Sequence, residues 1–324
     1  MSDKHFVDDY VTAINDDESI SENDKATVLR NLAKLRDTKV SILITGATGS
    51  GKSSTINALF KSNRAKVGQG VNPETMEISK HELNNIVIYD SAGLGDGKEA
   101  DRTHSKNIID KLYEKDDNGD MLIDLVLVIL DGSTRDLGTS FELINNVIIP
   151  NLGEDKKRLL VAINRSDVAM SGRGWDHENN RPNQKLINFL NEKVASTQSR
   201  IKEATGVDVE PVYYVAGFKD EDEEQKPYNL SKLLAFILRH TKPEKRAVFT
   251  QDINDEKEMW EDDDQLEDYR TEIRSSLVES IVSSISKGSS IGGQIGKMVG
   301  METVGKVVGA IAGAAVGFIR GIFD

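Results

Sequence analysis

The chain has 324 residues, with 54 acidic side chains against 41 basic ones and a net charge of −13. That balance argues against general nucleic-acid binding, because affinity for a phosphate backbone comes mainly from Lys and Arg. Cysteine is absent, which excludes disulfides, thiolate metal sites and cysteine nucleophiles. The opening MSDKHFVDDY is acidic and lacks the apolar stretch of a secretory signal, so a cytoplasmic location is expected.

Four regions follow one another, over residues 1–37, 38–242, 243–287 and 288–324. In the first, Phe6, Val7, Tyr10, Val11 and Ile14 form one apolar stripe, and Val28, Leu29, Leu32 and Leu35 form another. These stripes predict two short helices. Ser21 with Asp24 reads as a capping box opening the second helix.

The second region alternates short apolar runs with helical patterns. The runs are Val40–Ile44, Ile86–Tyr89, Leu125–Leu130, Leu159–Ile163 and Val212–Val215. Being short and rich in Val, Ile and Leu, they suit strands buried on both faces. Between them lie helical stretches at Lys52–Phe60, Arg102–Tyr113, Thr139–Ile148, Lys185–Ala204 and Leu230–His240. The alternation predicts an α/β fold with a mostly parallel sheet between helices. Helices are expected before it, and a helical, glycine-rich tail after it.

The chemistry begins at Gly46-Ala47-Thr48-Gly49-Ser50-Gly51-Lys52-Ser53, which matches GxxxxGK[ST] between a strand and a helix. Glycines let the backbone curl so that N–H groups point at phosphate oxygens, and the helix adds its positive end. Gly46, Thr48, Gly49, Ser50, Gly51 and Ser54 are thus expected around the phosphates. Lys52 would reach the β- and γ-phosphates, and Ser53 would bind Mg²⁺. Next, Asp90-Ser91-Ala92-Gly93 closes the second run. Asp90 there can hold the Mg²⁺ shell through water, and the Gly93 N–H can meet the γ-phosphate. Between these motifs Thr75 is expected to bind Mg²⁺ through its hydroxyl and the γ-phosphate through its amide. Hydrolysis would then release it.

The base is read by Asn164-Arg165-Ser166-Asp167, directly after the fourth run. The Asp167 carboxylate can accept from guanine N1–H and the 2-amino group, which adenine does not offer in that geometry. Asn164 is expected to tie this loop to the phosphate loop, and the Arg165 stem to cover the base. The Ala216 amide is expected to meet the guanine carbonyl oxygen.

With these motifs in place, the chain resembles the translation-factor-related GTPases, in the branch of Era/TrmE-like, septin-like and immunity-related GTPases. TGATGSGKSSTINALF is very similar to the phosphate loop of immunity-related GTPases, and PETMEI resembles their switch I. DGSTRD and Arg173-Gly174-Trp175-Asp176 look most like bacterial Era-like GTPases of unassigned role. Two departures stand out. Leu94 follows Gly93 where Ras-like enzymes place a water-orienting glutamine, and Gly49 stands where TrmE-like enzymes use a K⁺-holding asparagine. The resemblance therefore implies slow GTP hydrolysis, accelerated by a homodimer or higher oligomer across the nucleotide face, or by another partner. Arg64, Arg102 and Arg135 are candidates for supplying charge.

The third region starts acidic around Asp252–Asp264 and continues as a helix with Leu266, Tyr269, Ile273, Leu277, Ile281 and Ile285 on one face. In the fourth, Gly292, Gly296 and Gly300, then Gly305, Gly309, Gly313, Gly317 and Gly321, recur every fourth residue. Such spacing forms the smooth face that helices use for close packing. The longest uncharged run, Val307–Ile319, has 13 residues, short of a bilayer span. Three readings stay open for this tail: peripheral membrane association, packing on this chain or another protomer, and a disordered extension. The whole reads as a GTP-hydrolysing switch using Mg²⁺. An Era-like ribosome- or RNA-associated GTPase is one alternative, disfavoured by the acidic segment after the domain. A dynamin-like membrane remodeller is another, disfavoured by the short segment after His240.

Overall fold

The computed structural model describes residues 5–16, 18, 20–61, 78–95, 97–135, 137–219, 224–288, 321 and 323. At its centre lies a sheet of six strands. Five of them are β1 (Val40–Gly46), β2 (Ser79–Glu82), β3 (Ile86–Asp90), β4 (Leu125–Asp131) and β5 (Leu159–Asn164), and Val212–Tyr213 is the sixth. Their order is β2-β3-β1-β4-β5 and then Val212–Tyr213 at the far edge. Every pairing is parallel except β2 with β3. All five apolar runs read from the sequence contribute strands to this sheet, the fifth over Val212–Tyr213 alone, since Val215 bridges to Tyr228 instead. β1, β4 and β5 are buried along their whole length, as expected for strands covered on both faces.

Alternation along each strand divides two cores. Ile42 and Ile44 of β1, with Leu125, Leu127 and Ile129 of β4, face one side; Leu43, Val126, Val128 and Leu130 face the other. The first side is covered by α1 (Phe6–Asp16), α2 (Glu22–Asp37), α3 (Lys52–Leu59) and the helices Leu230–His240 and Tyr269–Ser286. The second is covered by α4 (Lys98–Tyr113), the helical stretch Gly138–Asn151 and the helix Gln184–Thr205. That stretch is wound as a π-helix over Leu143–Ile148, just before Pro150, which has no N–H to give.

The flanking regions share the first core. Ser21 caps α2 by accepting from the Asp24 N–H at 3.2 Å. Asn31 on α2 donates to Ile285 O at 2.8 Å, which joins the first region to the third. The acidic stretch is built into the body. Asp263 accepts from Ser231 Oγ and Asp264 from Lys232 Nζ, at 2.8 and 2.7 Å, beside the positive end of helix Leu230–His240. The following helix starts at Tyr269, capped by Asp268, and leaves Leu266 exposed ahead of it. Asp252 is buried. Its Oδ1 accepts from Asn84 N and Nδ2 at 3.0 and 2.9 Å, and its Oδ2 from Asn85 N and Ile86 N at 2.7 and 2.8 Å. This carboxylate pins the turn between β2 and β3. Phe323 is also buried, with its ring 5.5 Å from that of Trp260. The four-residue glycine repeat lies outside the described residues apart from Gly321. Among the described residues no helix is long and apolar enough to cross a membrane.

Candidate nucleotide site

The carboxyl ends of β1, β3, β4 and β5 bring four loops to one edge of the sheet. β1 ends at Gly46 and α3 starts at Lys52, so residues 47–51 curl between them. Gly51 caps α3 with φ 88°, and a Cβ there would lie 2.2 Å from Asn164 Nδ2. Only glycine fits that contact. The open N–H groups of the first turn of α3 remain to meet an anion. Lys52 Nζ lies along the loop, donating to Gly46 O at 3.3 Å and Ala47 O at 3.2 Å. Thr48 and Gly49 are exposed, Ser53 and Ser54 half-buried, and Ser50 buried with an Oγ that has no partner.

Asp90 ends β3 with Oδ1 buried and without a partner. Burial pushes its carboxyl above the ordinary carboxylate range, opposed by the charges of Lys52 and His81. An orphaned carboxylate oxygen with a serine hydroxyl on the adjoining loop suits a hydrated divalent cation, which takes hard oxygen donors. The segment after Asp90 lies on the phosphate loop. Thr48 N donates to Leu94 O at 3.1 Å, Leu94 N to Gly46 O at 3.3 Å, and Ser91 Oγ to Thr45 Oγ1 at 2.8 Å. Gly93 is half-buried inside this strip. The Leu94 side chain is turned into the second core. Thr75 and Arg64 lie outside the described residues. Arg102 and Arg135 are exposed.

The base loop is tied in from both sides. Asn164 Nδ2 donates to Ser50 O at 3.0 Å, and Asn164 Oδ1 accepts from Ala216 N at 2.9 Å. The structure thus gives to Asn164 the Ala216 N–H expected to meet the guanine carbonyl oxygen. Arg165, in the left-handed region at φ 61°, donates to Asp131 Oδ2 at 2.9 Å and reaches Gly49 O at 3.4 Å. Asp131 was not singled out by the sequence reading. It ends β4, and its other oxygen accepts from Ser133 N and Oγ at 2.8 and 2.6 Å. Asp167 is buried, and burial pushes its carboxyl up. Backbone N–H groups and the charges of Arg165 and His177 oppose that shift. Such a carboxylate gains most from two N–H donors arriving at its face.

Residues 41–165 match the model of a family described as 50S ribosome-binding GTPase. No curated protein matches the chain. Solved structures that the chain partly resembles include a probable GTP-binding protein engB, 21% identical, covering 62% of this chain and 98% of its own at a TM-score of 0.37. Toc33 from Arabidopsis thaliana in complex with GDP and Mg²⁺ is 14% identical, covering 75% and 99% at 0.45. The LeoA bacterial dynamin GTPase from ETEC is 13% identical, covering 65% and 36% at 0.38.

Fold and loops together define an α/β P-loop nucleotide-binding domain. More particularly, it is a GTP-binding GTPase domain, with the family match running from β1 through the start of the base loop.

Proposed function

We propose that the protein is a GTP-hydrolysing switch that reads the γ-phosphate through residues 90–95. The observation that carries this reading is the backbone pairing of Leu94 with Gly46 and Thr48. A γ-phosphate on the phosphate loop must either engage this strip or displace it, so the two nucleotide states differ there. Lys52 would neutralise the β- and γ-phosphates, and the N–H groups at the start of α3 would hold their oxygens. Ser53, Asp90 and Thr75 would hold Mg²⁺, which supplies charge neutralisation when bound. Asp167 would select guanine. In the reaction a water oxygen bonds to the γ-phosphorus, the bond to the β–γ bridging oxygen breaks, and the water proton leaves with the phosphate.

Leu94 carries no group that can orient that water, and its side chain is buried. This supports slow intrinsic turnover, completed by a second copy across the nucleotide face or by another partner. Turnover per molecule should rise with protein concentration in the purified protein. A fast rate independent of concentration would contradict the dimer reading.

For the glycine-rich tail, the Phe323–Trp260 ring contact favours packing on the body of the protein over membrane association. Liposome flotation with and without nucleotide tests this, and nucleotide-dependent flotation would favour the membrane. The description of the matching family supports ribosome association as a second reading. Co-sedimentation with ribosomes in the GTP state tests it.

A further inference from the structure

Phe218 is a large apolar side chain left 53% exposed. It stands two residues beyond Ala216 and pairs with Gln225 in the antiparallel ribbon of Phe218–Lys219 and Glu224–Gln225. The ribbon is anchored. Gln225 is buried and donates to Asn180 Oδ1 at 2.7 Å, and Val215 and Tyr228 exchange backbone hydrogen bonds at its base. Gly217 makes the step into it at φ 77°, where a Cβ would lie 2.6 Å from Gln225 O. The ring is therefore carried half in water on a hydrogen-bonded ribbon.

Phe218 lines a cavity of about 490 Å³ with Ser54, Asn57, Ala216, Pro227 and Met259. That volume lies in the roughly 300–1,000 Å³ range of small-molecule sites. Ser54 follows the phosphate loop, and Ala216 is bonded to Asn164, so the cavity lies beside the loops assigned to the nucleotide. Glu224, Glu256, Glu258 and Lys226 also line it, while Phe218, Ala216, Pro227 and Met259 supply an apolar wall that suits a flat ring system.

We propose that Phe218 packs its ring against the guanine base of the bound nucleotide and so contributes affinity that GTP and GDP share. This rests on the guanine reading of Asn164 to Asp167. Aromatic rings stack on bases with useful energy because every base has a π-face. The position also explains why a phenylalanine stands half in water on this ribbon.

In the full chain, Phe218→Ala is expected to weaken GDP and GTP each by roughly tenfold. Phe218→Trp is expected to bind GDP and to add a saturable emission change beyond the signal of Trp175 and Trp260. If the wild-type protein binds GDP, the assignment is overturned by unchanged affinity in Phe218→Ala together with no added emission change in Phe218→Trp. Failure of the wild-type protein itself to bind GDP overturns the guanine reading, and this assignment with it.

Discussion

Asn164 joins the phosphate loop to the base loop with one side chain, giving a hydrogen bond to Ser50 O at 3.0 Å and taking one from Ala216 N at 2.9 Å. Both bonds are buried. Asn164→Ala leaves a carbonyl and an N–H without partners, each costing about 1–3 kcal/mol. We expect a fall in Tm of several degrees, at roughly 2–4 °C per kcal/mol for a domain of this size. GDP and GTP should lose affinity together, which titration calorimetry would measure. A loss confined to GTP would place Asn164 at the γ-phosphate instead.

Lys52 is held 3.2–3.3 Å from two carbonyls of the phosphate loop, and in the proposed reaction it would neutralise the β- and γ-oxygens. Lys52→Ala removes a charge acting where charge builds up in the transition state. Single-turnover phosphate release should fall by roughly 100-fold or more. Unchanged release would mean that the loop does not cradle the transferred phosphate.

Asp167 carries a pH prediction. Burial raises its carboxyl above the ordinary range, and on the proposed guanine reading only the ionised form would accept from both guanine N–H groups. As pH falls through that raised value, the free protein protonates and GDP affinity is lost; binding at that pH expels the proton. Asp90 is raised as well, so the titration should be run with GDP in EDTA, where the metal role proposed for Asp90 contributes least. GDP affinity should weaken in mildly acidic solution for the wild type. A pH-independent Kd down to the ordinary carboxylate range would contradict this.

Asp252 uses both oxygens to bind four N–H donors of the turn between β2 and β3. Asp252→Asn turns one acceptor into a donor facing two N–H groups. A stability loss of about 3 kcal/mol or more is expected, read as a lowered denaturation midpoint. GDP affinity below the transition should stay near wild type, because among the described residues the Asp252 carboxylate bonds only the turn between β2 and β3. An unchanged midpoint would show that water replaces the carboxylate without cost.

Much of this was legible in the sequence. β1, β4 and β5 announce themselves because burial on both faces demands unbroken apolar runs. β2 was not read as a separate strand: its four residues Ser79-Lys80-His81-Glu82 alternate between half-buried and exposed at the sheet edge. The phosphate and base loops were legible because glycine geometry and hydrogen-bond chemistry fix residue types at fixed spacing. The Asp131–Arg165 pair was not, since its members are 34 positions apart and meet only when β4 and β5 lie side by side. Asp252 hid in a run of acids that reads as a solvated surface, although its carboxylate is enclosed by backbone donors.

The central claim is that the Asn164–Asp167 loop selects guanine on a phosphate loop shared by many nucleotide-binding proteins. The most direct test is calorimetric titration of wild type and Asp167→Asn with GDP, ADP and XDP. The account predicts that the wild type binds GDP at least about 100-fold more tightly than ADP, because mismatched buried hydrogen-bonding groups cost several kcal/mol. Asp167→Asn should lose GDP affinity and gain XDP affinity. Comparable GDP and ADP affinities in the wild type, unchanged by the substitution, would contradict it.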